Sequence, residues 1–183
     1  VEIQNRAKDR EDQMRIAVNL VQNIEWGKSN KTIVFRDSIL DYSRYPYEVL
    51  YDSEGVCGEK SGLLAFLLHE LGFGVVFFYN QEENHEAIGI KCPVEESWKN
   101  SGYCFVETTG PSIITDTEIN YVGGLQLQSE PQILFISEGE SLSSDIYEYE
   151  DTEKLIDIRK TINGDGFFFN PKKLVDFKRL ERK

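Results

Sequence analysis

The stretch from Gly55 to Leu71 constrains the fold most, because it places a reactive residue type at the head of a strong helix signal. Leu63, Leu64, Phe66, Leu67, Leu68 and Leu71 cover most of a helical circumference, and Gly72 follows where a left-handed cap is usual. The pattern predicts a buried central helix. Cys57 falls in its first turn, where unsatisfied backbone N–H groups and the positive end of the helix dipole favour an anion. A thiolate is such an anion, and it is the nucleophilic form of cysteine. Gly55 and Gly58 on either side leave room for a carbonyl to approach the sulfur. The plainer alternative is that Cys57 is a small buried hydrophobe.

A nucleophilic cysteine needs a base, commonly histidine, and a third group to orient that base. The chain has two histidines. His69 would lie far along the same helix, roughly 18 Å from Cys57 at 1.5 Å per residue. His85 is left by elimination, at the mouth of a strand running to Lys91. After a loop containing Pro93, Asn100 and Gly102, the run from Tyr103 to Pro111 reads as the returning antiparallel strand. If His85 and Glu107 lie nearly opposite, they share a face and the carboxylate can fix the imidazole tautomer. The other reading of Glu107 is an exposed carboxylate at a strand end.

The order of these segments resembles the transglutaminase-like superfamily, whose core is similar to that of papain-like cysteine proteases. The residues that carry the likeness begin with Tyr45 to Leu50, followed by Gly55, Cys57, Lys60 and Ser61 leading into the apolar helix and Leu71, Gly72 and Phe73. The strand Gly74 to Tyr79, then His85, then Phe105 to Thr109 complete it, and the likeness spans about residues 14 to 125. It implies an α+β fold with the cysteine-bearing helix packed on an antiparallel sheet, and a triad of Cys57, His85 and Glu107. Two departures stand out: the acid in the family is most often aspartate, and Gly58 stands where many members carry an acidic or aromatic residue. The implied chemistry is attack of Cys57 on an amide or acyl carbonyl to form a thioester. Water would then give a peptidase or amidase, and an amine an acyltransferase. The partner would be a protein or peptide substrate. For the oxyanion, the backbone N–H of Cys57 is one donor, and Tyr51 or Trp26 could supply another unless they only pack. This chemistry needs no metal and no cofactor, and the sequence has no Cys/His ligand cluster. A catalytically silent extracytoplasmic binding module with the same fold is the alternative.

The rest of the chain reads as one domain of 183 residues, with its core at about 14–137 and an acidic loop plus C-terminal extension at 138–183. A net charge of −12 argues against nucleic acid or an anionic membrane surface as the main partner and favours cationic substrates. No apolar run is long enough to cross a membrane. A start at Val1 without a visible signal peptide suggests a piece of a longer protein. Met14, Ala17, Val18, Val21 and Ile24 make one face of a helix over about residues 8–25. Residues 28–54 read as a long aromatic-rich connection, 113–124 as loop with a break at Gly123 and Gly124, and Ile133 to Ile136 as another buried strand. The seven acids between Glu138 and Glu153, with no Lys or Arg among them, predict a solvated loop; the spacing matches no calcium loop. Asn170 and Pro171 read as the start of a basic amphipathic helix.

Strand alternation puts Cys92 and Cys104 on the face away from His85 and Glu107, where they could form a disulfide and leave Cys57 as the free thiol. A strict register with His85 opposite Glu107 would set Cys92 opposite residue 100, so the pairing calls for a bulge. A disulfide favours an extracytoplasmic location, with a cytoplasmic one the alternative if the thiols are reduced.

Overall fold

The computed structural model describes residues 1–118, 120–121 and 125–163. In chain order its elements are α1 (Glu2–Arg6), α2 (Arg10–Gln22), β1 (Glu25–Trp26), β2 (Thr32–Phe35), β3 (Ser38–Asp41), α3 (Pro46–Asp52), β4 (Glu54–Gly55), α4 (Cys57–Glu70), β5 (Val75–Asn80), β6 (His85–Lys91), β7 (Tyr103–Val106), β8 (Asn120–Tyr121), β9 (Leu125–Gln126), β10 (Gln132–Ser137) and α5 (Tyr147–Asn163). The fold is α+β. Its main sheet has the order β10-β5-β6-β7, antiparallel throughout, and α4 packs on it.

The alternation of each strand sorts the core. Val75, Ile88, Ile90, Cys104 and Val106 meet Leu63, Leu64 and Leu68 of α4 and Met14, Ala17, Val18 and Val21 of α2 in one cluster. The intervening residues Val76, Phe78, Ala87 and Phe105 form a smaller cluster on the opposite face, with Trp98 and Tyr103 against it. Helix α2 starts at Asp9, whose carboxylate accepts the N–H of Asp12 at 3.1 Å. Helix α4 gives way to Gly72, whose φ of +87° lies in the left-handed region.

Four expectations need correction. The helix α4 is central but not enclosed: Phe66 is 52 % exposed and His69 and Glu70 face water, so its apolar residues form a broad stripe rather than a full girdle. Strand β10 exists, but Ile133 to Ile136 are exposed: β10 lies at the sheet edge, and neither buried cluster takes in these residues. The 28–54 connection holds the two-stranded hairpin β2–β3 and the helix α3. The hairpin escaped notice because its turn uses Arg36, at φ +54°, and Asp37 instead of glycine or asparagine. The acidic segment is not all loop. From Tyr147 onward it is α5, with Glu148 and Glu150 in the first turn, where acids suit the helix dipole. Ile146, Tyr149, Leu155 and Ile158 are buried there, and Arg15 of α2 holds Glu148 through Nε at 2.5 Å and Nη2 at 2.9 Å. The Gly123–Gly124 break and the helix expected from Asn170 lie outside the described residues. Among the described residues, no helix is long and apolar enough to cross a membrane.

Candidate active site

The site is built where three chain segments converge on the first turn of α4. The parallel pair β1–β4 sets Trp26 against Gly55 and carries the chain into Val56, which caps the helix. Glu59 reaches back to accept the N–H of Val56 at 3.0 Å, which satisfies one of the helix's free donors. The same carboxylate accepts the Arg44 N–H at 2.7 Å and its Nη1 at 3.1 Å. Arg44 is buried, pairs also with Asp52 and Glu54, and donates to the carbonyl of Gly27 at 3.0 Å. The 28–54 connection is thus pinned at both ends beside Cys57.

The structure brings Cys57, His85 and Glu107 together. Cys57 is half-buried, and as a thiol it points to the carbonyl of Asn84, 3.9 Å away. His85 and Glu107 are buried, with His85 Nε2 2.8 Å from Glu107 Oε2. That leaves Nδ1 for the hydrogen bond between His85 and Cys57. The second oxygen of Glu107 is also fixed: it accepts the N–H of Thr108 at 3.0 Å, the N–H of Thr109 at 2.8 Å and the Thr109 hydroxyl at 2.7 Å. A carboxylate bonded through both oxygens is fixed in orientation, so it holds the imidazole at one angle.

The near-opposite placement of His85 and Glu107 is corrected by the register. Ile88 faces Val106 and Ile90 faces Cys104, so His85 would face residue 109 and reaches Glu107 on the diagonal. The additional methylene of glutamate suits that longer reach. The same register removes the need for a bulge at the other end. Cys92 donates its N–H to the carbonyl of Gly102 at 3.0 Å and is bonded on the diagonal to Cys104, S–S 2.01 Å and Cα–Cα 5.8 Å.

Electrostatics favour a charge-separated site. Burial by itself would push the Cys57 thiol up, but hydrogen bonds from His85 and from the N–H groups of Glu86 and Gly58 outweigh it and hold the thiol below its ordinary value. Burial likewise opposes charging His85. Its bonds to Cys57 and Glu107 win, and its pKa rises to about 9. Glu107 is pulled down despite burial, chiefly by His85 and then by Thr109. All three shifts run in the direction of thiolate, imidazolium and carboxylate in a row.

Lys60 and Ser61 were read from the sequence only as carriers of the likeness, and their contacts around this row were not read. Lys60, wholly buried one turn into α4, donates to the carbonyls of Ile24 at 2.6 Å and Gln22 at 3.5 Å, closing the C-terminal end of α2. Burial lowers its pKa to about 8, with the charge of Glu107 acting the other way. Gln22 in turn donates to the backbone carbonyl of Glu107 at 2.9 Å. Ser61 donates to the carbonyl of Glu86 at 2.9 Å and lies 3.0 Å from the Thr108 hydroxyl. The available signal was the spacing of Lys60 and Ser61 one helical turn past Cys57. Of the two expected oxyanion donors, Trp26 lies on β1 beside Gly55 and is 50 % exposed, whereas Tyr51 at the end of α3 is 89 % exposed. Among the described residues, no group of three or more His, Cys, Asp or Glu side chains is placed to hold a metal ion.

No family model matches the chain, and no curated protein matches it. Among solved structures it is similar to calcium-bound LapG of Legionella pneumophila, with a TM-score of 0.42 and 15 % identity over 81 % of each chain. A second LapG structure gives a TM-score of 0.42 and 14 % identity over 80 % of this chain and 78 % of that one, and an EGTA-treated form gives 0.42 and 13 % over the same shares.

Proposed function

We propose that the protein is a transglutaminase-like, cysteine-dependent enzyme that opens amide or acyl bonds of a polypeptide through a thioester on Cys57. The observation that supports this reading is the 2.8 Å bond between buried His85 and Glu107, itself held through both oxygens, with the imidazole also bonded to a cysteine at a helix N-terminus. Those bonds make a thiolate available without an external base.

The Cys57 thiolate attacks the carbonyl carbon; the S–C bond forms and the carbonyl electrons move to oxygen. The backbone N–H of Cys57, at the positive end of α4, is a donor to that oxyanion. His85, as imidazolium, gives its Nδ1 proton to the leaving nitrogen as the C–N bond breaks. The resulting neutral imidazole accepts a proton from water or an amine, which attacks the thioester and frees the sulfur. Glu107 stabilises the cation on His85 and stays ionised throughout.

The test is the pH dependence of Cys57 alkylation by iodoacetamide in the wild type, His85→Ala and Glu107→Ala. The reading expects reaction well below the ordinary thiol pKa of about 8.5, lost in the His85 variant. A Cys57 that behaves as an ordinary thiol in all three would sink it and leave a binding module of the same fold.

A further inference from the structure

Glu86 directly follows His85 on β6, and its backbone N–H bonds the Cys57 sulfur. In the register of the sheet it faces Tyr79 and lies on the same side as Ile88 and Ile90, the side against which α4 packs. It stands past the end of that core, over the first turn of α4. A Cβ built on Gly58 would lie 3.7 Å from Glu86 Oε1, which places this carboxylate beside the residue that follows the nucleophile. The side chain is half-buried. Among the described residues no lysine or arginine pairs with it, and the charged group that acts on it is His85. That single cation is already shared between Cys57 and Glu107.

Building on the reading of Cys57 as the nucleophile, we infer that Glu86 forms a cation subsite and that the substrate carries an ammonium or guanidinium group next to the reacting carbonyl. A partly desolvated carboxylate gains more from a charge-assisted hydrogen bond with such a group than from the water it has retained. Burial holds the Glu86 carboxyl above its ordinary value, with His85 acting the other way, and a second cation beside it would favour its charged form. An anionic group at the same place would meet repulsion. The net charge of −12 attracts cations to the whole surface, but only a local carboxylate can make the preference depend on one residue.

The cation can belong to a lysine or arginine flanking the carbonyl, or to the amine side of the reaction. The first measurement uses methanethiosulfonate reagents of one warhead, bearing a trimethylammonium-ethyl, a neutral methyl or a sulfonato-ethyl group, on the wild type, Glu86→Gln and Glu70→Gln. The rate of the cationic reagent is taken relative to the neutral one, which cancels any change in thiol reactivity. The expected result is that this ratio falls roughly fivefold in Glu86→Gln, the size of one unscreened charge at about 5 Å in a partly aqueous site, and stays at the wild-type value in Glu70→Gln at the far end of α4. Equal ratios in all three proteins, with Cys57 reactive, would overturn the cation subsite while leaving the proposed chemistry standing. A Cys57 inert to the neutral reagent would take both down. A second arm compares peptidyl chloromethyl ketones with lysine or norleucine next to the warhead. A lysine preference lost in Glu86→Gln assigns the cation to the acyl side. No lysine preference, together with the fivefold shift, assigns it to the amine side.

Discussion

His85 is bonded to both Cys57 and Glu107, and its titration reports on both. Its pKa near 9 rests on Cys57 and Glu107 outweighing burial, so removing either charge returns it toward the ordinary value of about 6.5. NMR titration of Glu107→Gln and Cys57→Ala should show that fall, with only one other imidazole, His69, in the spectrum. Because the folded pKa is raised, the stabilisation contributed by this imidazolium is complete below about 6.5 and is lost as pH rises through about 9. Lys60 has the opposite sign. Its folded pKa is lowered to about 8, so the protein gains stability from it as pH rises from about 8 toward the free-lysine value near 10.4. Urea unfolding at both ends of that window should show the stability of the wild type rising relative to that of Lys60→Met, the loss from His85 being common to both proteins. At this scale the sequence was legible where placement follows from residue type and order: one cysteine at a helix start, one histidine at a strand mouth and one acid on the returning strand. Lys60, Ser61 and Thr109 were not, because their roles come from carbonyls and carboxylates distant in the chain or around a tight turn.

Helix α4 shows how the elements divide the work of folding. Leu68 is wholly buried against the sheet and α2, while Phe66 on the same helix is half in water. Leu68→Ala should cost about 2–5 kcal/mol in a urea titration, and Phe66→Ala well under half as much. The same distinction explains which elements could be read in advance. The period of α2 and the leucines of α4 announce helices whose partners lie nearby. An apolar run such as Ile133 to Ile136 looks identical whether it becomes a buried strand or an exposed one, and only what packs over its faces decides. The start of α5 depends on Arg15, more than a hundred residues upstream, to neutralise Glu148, and no local pattern discloses that pairing.

For the molecule as a whole, the covalent tie between β6 and β7 closes a short loop with a sequence separation of 12. Loop closure of that length limits the unfolded chain enough to contribute about 3 kcal/mol, so the Cys92→Ser/Cys104→Ser double variant should lose that much in urea titrations under oxidising conditions. Under strong reductant the wild type should lose the same amount and the variant none. The sequence misplaced the register of these strands, because alternation fixes which face a residue occupies and leaves slips of two residues undetermined. The structure resolves that ambiguity mechanically. The His85–Glu107 contact and the Cys92–Cys104 bond are both diagonals, and they lean in opposite directions at opposite ends of the same strand pair. Sliding β7 by two residues one way would shorten the first and stretch the second; sliding it the other way would do the reverse. Like crossed struts in a frame, one ionic and one covalent, they lock the shear of β7 against β6 in both senses and hold the imidazole in line with the helix that carries the sulfur.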